Sequence, residues 1–338
     1  MKSKKSNLLT LIVSLSLNKS AFAQQQTQEP ESKQKIAFIG YQQNPSERDI
    51  YITNPNLTNL ENLTAGNKNL EKLAIDSFDI SRGSHIVIGA HNKDAHIPLL
   101  FDPKFDEKYI PSHSNIYIGL IRESKITDLE PITQDDKTDF PQFVSGTDYI
   151  VVRKILPKRE GLPEREGLVL IDRDGTEVRW LANERISFFD VSSDGKEVVY
   201  SAAENLSSDS KRLSDLKRVS INGEMLRNIT NTENIGEIAP ASALDGRIAY
   251  AVWNNWPEAS IFIIEQNPRR QIEIYHSLNI KTPRFEFSPD GNQIWTVANY
   301  NNDSVFGIID VNAKKITYLS SPAVEIYSHP SFYSISKN

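Results

Sequence analysis

Along most of the chain, apolar residues come in short β-rich runs separated by tight polar turns. The clearest example lies near the C-terminus, where a run ending at Phe287 leads into Ser288-Pro289-Asp290-Gly291, followed by further runs at 293–298 and 305–310. Weaker copies recur back to residue 36. Repetition of one such unit marks a chain of small sheets that bury their faces by stacking on one another.

Six segments fit a four-strand template. Inner strands with their turns are predicted at 78–83, 140–146, 187–195, 238–246, 284–291 and 327–335. Five of the six end in Gly or Asp-Gly, which suits the positive φ of a turn between antiparallel strands. Second strands are predicted at 86–90, 149–153, 197–201, 248–252 and 294–298, and third strands at 116–120, 168–172, 216–221, 261–264 and 306–310. Fourth strands include 178–181, 225–229, 271–275 and 316–319. Inner strands return every ~45–60 residues, the spacing of a four-stranded propeller blade. The last inner strand has no partners after it, and the N-terminal runs at 36–40, 49–53 and 60–64 supply them. The expectation is an all-β, six-bladed propeller in one domain, 35–338, closed by pairing 327–335 with 36–40. Closure leaves no edge strand exposed at the seam.

The turn Phe287-Ser288-Pro289-Asp290-Gly291, with its degraded copies Val191-Ser192-Ser193-Asp194-Gly195 and Ala243-Leu244-Asp245-Gly246, resembles the repeat of TolB-type six-bladed propellers. The resemblance covers about residues 35–338 and leaves out the α/β domain that precedes the ring in TolB. What it implies is a fold. The repeated residues are turn chemistry, shared by binding proteins and by accessory domains of enzymes.

The first 23 residues carry the pattern of a secretory signal: Lys2, Lys4 and Lys5, an apolar stretch over 8–17, and Ala21-Phe22-Ala23 as a small-x-small cleavage site. No Cys follows for lipid attachment. Residues 24–34 are polar and lack an apolar period, as a flexible leader would. The expected location is a bacterial periplasm or the exterior. Cleavage after Ala23 removes four lysines and no acid, which takes the net charge from −6 to −10. An acidic surface repels phosphate backbones, so nucleic acid is excluded as a partner. No later apolar run is long enough for a membrane helix. The chain contains no Cys, which removes disulfides, thiol chemistry and thiolate metal sites. Core burial alone must stabilise it, and a chain near 300 residues buries about 75% of its surface.

In a propeller, first-to-second and third-to-fourth strand connections emerge on one face, and the others on the opposite face. The former are minimal here, as at Arg173-Asp174-Gly175 and Asn222-Gly223, whereas the second-to-third connections at 91–114, 154–167, 202–214, 253–259 and 299–304 are longer. Scaffolds carry function on elaborated loops, so this is the expected working face. The longest connection holds His91, His96 and His113, at a spacing that matches no compact ligand motif; no metal or cofactor is expected. Its apolar residues, among them Phe101, Phe105 and Tyr109, either tuck onto the ring or form an exposed docking patch. Trp253, Trp256 and Tyr300 belong to neighbouring connections. Aromatics with a polar tip suit stacking against a peptide or glycan, and Trp253 equally fits a core cap of its own strand. The candidate recognition residues are therefore Trp256, Tyr300, Phe101, Phe105, Trp253 and Tyr109.

Catalytic signatures are missing. No Gly-x-Ser-x-Gly elbow is present. Residues Ser288 to Trp295 approach the sialidase Asp-box, but Asn292 stands where that pattern wants Gly. Asp172-Arg173-Asp174-Gly175 begins like a calcium loop and lacks the later ligands. Two functions stay open: a monomeric scaffold that binds an envelope protein or peptide, and a lyase or hydrolase acting on a sugar or peptide at the central channel. Three or more His, Arg, Tyr or acidic side chains converging in the channel mouth would favour the enzyme, and a channel lined by small and apolar residues the scaffold.

Overall fold

The computed structural model describes residues 34–44, 47–81, 84–93, 114–156, 165–203, 214–224, 227–232, 235–255, 258–266, 269–328 and 330–334. The signal assignment and residues 24–33 of the leader fall outside them, whereas Gln34, assigned to the leader, begins the first strand and pairs with Ser334. Strands β1 (Gln34–Tyr41), β2 (Asp49–Thr53) and β3 (Glu61–Asn62) form one antiparallel ladder. β4 (Leu73–Ile80), β5 (His85–Asn92), β6 (Ser114–Arg122) and β7 (Lys125–Pro131) form the next. A third holds β8 (Thr138–Phe143), β9 (Ile150–Leu156), β10 (Arg165–Ile171) and β11 (Glu177–Ala182), and a fourth β12 (Ile186–Val191), β13 (Glu197–Ala203), β14 (Ser214–Ser220) and β15 (Arg227–Asn228).

The predicted fourth strand at 271–275 and inner strand near 284 turn out to be one continuous strand, β19 (Arg269–Phe287). Its first part pairs with β18 (Glu258–Gln266), the neighbour of β17 (Ile248–Asn255) and β16 (Glu237–Ser242). From Ile280 onward it pairs with β20 (Gln293–Tyr300), followed by β21 (Asp303–Asp310) and β22 (Lys315–Leu319). The pairing switches sheets without a loop because this stretch stays extended, with Ser277 at φ 53 supplying the irregularity. The protein is an all-β propeller of antiparallel four-stranded sheets.

The chain ends meet on β1. β23 (Glu325–Ile326) pairs with Gly40 and Tyr41, and β24 (Ser331–Ser334) with Gln34 to Ala37. The expected single strand at 327–335 is thus two pieces. Ile39 O accepts both the Tyr327 and Ser328 N–H, at 2.8 and 3.2 Å, a bulge that breaks the register. Pro330 then has no N–H to donate. Residue 335 lies outside the described residues.

Strand sequences read as continuous apolar runs because both sheet faces are buried. On β5, Ile86 and Ile88 pack toward β1 and β2, while Val87 packs toward β9 and β10. On β13, Val198 and Tyr200 face β9 and β10, and Val199 faces β17. On β20, Ile294 and Ala298 join the cluster with β17 and β18, whereas Trp295 and Val297 meet Phe38 of β1. Each apolar cluster joins two consecutive sheets, and the last joins the C-terminal sheet to the N-terminal one. Core burial therefore runs around the ring.

The repeated turn has a local cause. In Ser288-Pro289-Asp290-Gly291, the Gly291 N–H bonds Ser288 O at 2.7 Å and Asp290 Oδ1 accepts the Asn292 N–H at 3.1 Å. The copy at 192–197 repeats both, with the Gly195 N–H to Ser192 O at 2.8 Å and the Lys196 N–H to Asp194 Oδ1 at 3.1 Å. Gly291 and Gly195 both sit at φ 69, where a Cβ is disfavoured and glycine costs nothing.

Candidate functional site

Five inner strands carry one residue at the same place, two positions before the N–H that closes the turn: Asp79, Gln142, Asp190, Ala241 and Glu286. Three of them reach the next sheet. Asp79 Oδ2 accepts the Phe143 N–H at 2.8 Å. Gln142 donates from Nε2 to Phe189 O at 3.1 Å and accepts the Val191 N–H at 2.8 Å. Asp190 Oδ2 accepts the Ser242 N–H at 2.6 Å. Inner strands are sheet edges, and these side chains satisfy backbone groups that no strand pairs. Ala241 makes no such bond, and there β19 itself ties the two sheets covalently. Glu286 bonds nothing among the described residues.

Asp79, Asp190 and Glu286 come from the inner strands of alternate sheets, and the Asp79 charge adds to the rise of both other carboxyls. Burial pushes Asp190 up to about 7 against its bond from Ser242, with Asp79 adding to the rise. Burial likewise raises Asp79 against the Phe143 and Ile80 N–H bonds. Glu286 is held well above the carboxylate range, first by burial, then by the Asp190 and Asp79 charges. Arg284, one turn of the pleat away, is lowered to about 10 by burial and then by Arg153. All four residues are half-buried.

The face bearing the second-to-third connections collects ion pairs that range from buried to partly exposed. Asp76 binds Arg48 at 3.2 Å, His91 Nδ1 at 2.5 Å and Ser114 Oγ at 3.0 Å. Asp139 takes the Arg153 guanidinium at 2.8 and 2.6 Å, and Arg153 also donates to Ile186 O at 3.2 Å. Glu184 accepts from Tyr200 Oη at 2.7 Å and Lys217 Nζ at 2.6 Å. Lys281 pairs with Glu325 at 2.7 Å across the seam. Each joins the start of an inner strand, or the connection before it, to neighbouring strands.

Of the sequence candidates, Tyr300 ends β20, is 46% exposed, and stacks on Tyr318 with ring centroids 4.1 Å apart. Trp253 is half-buried on β17, packed against the cluster shared with β20 and β21. The two are not in ring contact with each other in the described geometry. Trp256, Phe101, Phe105 and Tyr109 lie outside the described residues. Sequence reasoning missed Asp79, Asp190, Arg284 and Glu286, although a signal existed: a polar residue interrupts several inner runs at a fixed offset before the turn, as in Phe78-Asp79-Ile80, Phe189-Asp190-Val191 and Phe285-Glu286-Phe287. Among the described residues, no group of three or more His, Cys, Asp or Glu is placed to hold a metal ion. No helix among them is long and apolar enough to cross a membrane.

No family model matches the chain, and no curated protein matches it. Its fold is similar to solved propellers. TolB from Acinetobacter baumannii superposes with a TM-score of 0.64 at 12% identity, covering 88% of this chain and 66% of TolB, so the chain spans less than two thirds of that protein. A chain of the nidogen–laminin complex gives a TM-score of 0.59 at 8% identity, covering 89% of this chain and 97% of that one. An oligogalacturonate lyase in complex with manganese gives 0.55 at 12% identity, covering 78% and 71%. At these identities the likeness shows a shared TolB-like propeller fold.

Proposed function

We propose that the protein is an exported, TolB-like six-bladed propeller, cleaved after Ala23, that binds an envelope protein or peptide on the face of its second-to-third connections. The observation carrying this reading is that the acids of that face, and three polar side chains of the inner strands, are used internally. Asp76, Asp139 and Glu184 are saturated by cations and hydroxyls, and Asp79, Gln142 and Asp190 fasten neighbouring strands. The fold likeness to a chain from a protein–protein complex, nidogen with laminin, is in keeping with a docking role. Truncating a desolvated aromatic anchor typically costs ~2 kcal/mol or more. Trp256→Ala should therefore lower capture of envelope partners more than tenfold with the fold intact. Equal capture by wild type and Trp256→Ala would count against the docking face.

One observation favours a second reading, a lyase or hydrolase at the channel. The inner strands carry charge and not only small, apolar residues: Asp79, Asp190, Arg284 and Glu286 lie on them, and Arg284 reaches the Phe140 ring of another inner strand. Turnover of an oligogalacturonate or a peptide, abolished in a folded Glu286→Gln variant, would replace binding by catalysis.

A further inference from the structure

Arg284 differs from the other enclosed cations. Arg48, Arg153, Lys154, Lys217 and Lys281 each have a carboxylate within 3.2 Å. Among the described residues, Arg284 has no ion-pair partner and no side-chain hydrogen bond. Its contact is aromatic: the guanidinium lies 4.2 Å from the centre of the Phe140 ring, the same ring that carries Arg153 at 4.7 Å. Phe140 is presented there by an irregularity of β8, with φ 50 and a register shift between Asp139 and Gln142. Bulges of this kind re-aim a side chain. The result is a guanidinium fork inside the channel, stacked on a ring and oriented, with its hydrogen-bonding edge uncommitted.

We propose that Arg284 anchors an anion subsite in the channel, which takes the carboxylate of a peptide segment, either a C-terminus or an Asp or Glu side chain. The subsite rests on the docking reading above and names the chemistry by which the docked segment is held. A guanidinium matches a carboxylate with two parallel bonds, which an ammonium cannot reproduce. Burial and then Arg153 depress the ionisation of Arg284, whereas Asp139, Asp76 and Asp190 favour it without a direct ion pair among the described residues, and it stays protonated at neutral pH. Glu286, two residues on, has its ionisation opposed by burial and by the Asp190 and Asp79 charges, which weakens its repulsion of an incoming monoanion. A phosphate dianion would meet stronger repulsion from Asp190 and Asp79. The Phe140 ring offers an apolar wall for the adjoining side chain.

The test uses the mature full chain and three pools of acetylated tripeptides: free C-termini, amidated C-termini, and amidated C-termini with an internal Glu. D-galacturonate and inorganic phosphate serve as further probes. Binding is read by saturation-transfer NMR, and the strongest tripeptide is titrated. Both carboxylate-bearing pools should bind, with the neutral amidated pool at least tenfold weaker. Arg284→Gln should lose at least tenfold in affinity while melting at or above the wild-type temperature, because an unpaired enclosed charge is removed. Loss of an ordinary ion pair would instead lower the melting temperature. If Arg284→Gln does not fold, Arg284→Lys should keep the fold and show an intermediate loss. Equal binding of free and amidated pools overturns the proposal. So does undiminished binding by the variants, preference for galacturonate or phosphate, or no binding of any pool to wild type at about 10 mM probe. If Arg284→Gln keeps envelope capture and peptide binding while Trp256→Ala loses capture, the subsite fails and the docking face stands. The converse pattern sinks the docking face and leaves the subsite.

Discussion

Replacing Gln142 with Ala removes a fastening between two sheets without touching the apolar core. The side chain bonds both Phe189 O, at 3.1 Å, and the Val191 N–H, at 2.8 Å, so one truncation breaks two bonds and strands a donor and an acceptor on β12. Each such bond contributes about 0.5–1.5 kcal/mol net, which gives about 1–3 kcal/mol for the pair. Channel water can reach a half-buried site and moves the expected value toward the lower half of that range, about 1–2 kcal/mol. Urea unfolding followed by tryptophan fluorescence should show a lower midpoint at unchanged slope. Gln142→Glu supplies the contrast. It keeps the acceptor for Val191 and loses the donor to Phe189, which reduces it to the single-bond pattern of Asp79 and Asp190, so its loss should fall between Gln142→Ala and wild type. If Gln142→Ala unfolds within ~0.3 kcal/mol of wild type, a change no larger than a neutral surface substitution, the fastening role of this position is wrong.

Two further outcomes are expected. Deleting residues 327–338 removes β24 from β1 and the Phe332 ring that meets Trp295 edge-on at 5.4 Å. It should lower the melting temperature of the whole ring, and a truncated protein that melts with its parent would contradict closure through these strands. Asp79, Asp190 and Glu286 are all raised above the unfolded carboxylate range near 4, first by burial. The folded state therefore binds more protons. The stability linked to these groups is fully present below about pH 4 and is lost as pH rises through the folded values, about 7 for Asp190. The melting temperature should fall between about pH 5 and pH 8, and Asp190→Asn should flatten that fall; a rise over the same range would refute the assignment.

Most of the architecture was legible because its cause is local. A strand buried on both faces must be apolar at consecutive positions, as Ile86, Val87 and Ile88 are, and the Asp-Gly turns declare themselves through the φ that Gly195 and Gly291 adopt. The unbroken course of β19 was not legible. Whether an extended segment leaves one sheet and enters the next depends on partners far away in sequence. The split seam strand escaped notice for a related reason, since the double acceptance by Ile39 O is a tertiary event. The channel residues were hidden differently. Asp79, Asp190 and Glu286 look like isolated polar interruptions until the ring brings alternate sheets to one axis. Arg284 acquires meaning only through its place over the Phe140 ring, with no ion pair among the described residues, which is a property of the fold. Loop aromatics such as Tyr300 were visible as residue types, while the Tyr318 ring beneath it was not.

The docking face can be tested directly by site-specific photocrosslinking. A benzophenone side chain placed at Tyr300, on the long-connection face, is compared with one at Asn222, in the short turn after β14 on the opposite face. Both mature proteins are illuminated with the native envelope fraction, and covalent adducts are identified by mass. A specific adduct at position 300, absent at 222 and suppressed by Trp256→Ala, is the expected result. Adducts at 222 alone, or at 300 undiminished by Trp256→Ala, would contradict a protein or peptide docking on the face of the second-to-third connections.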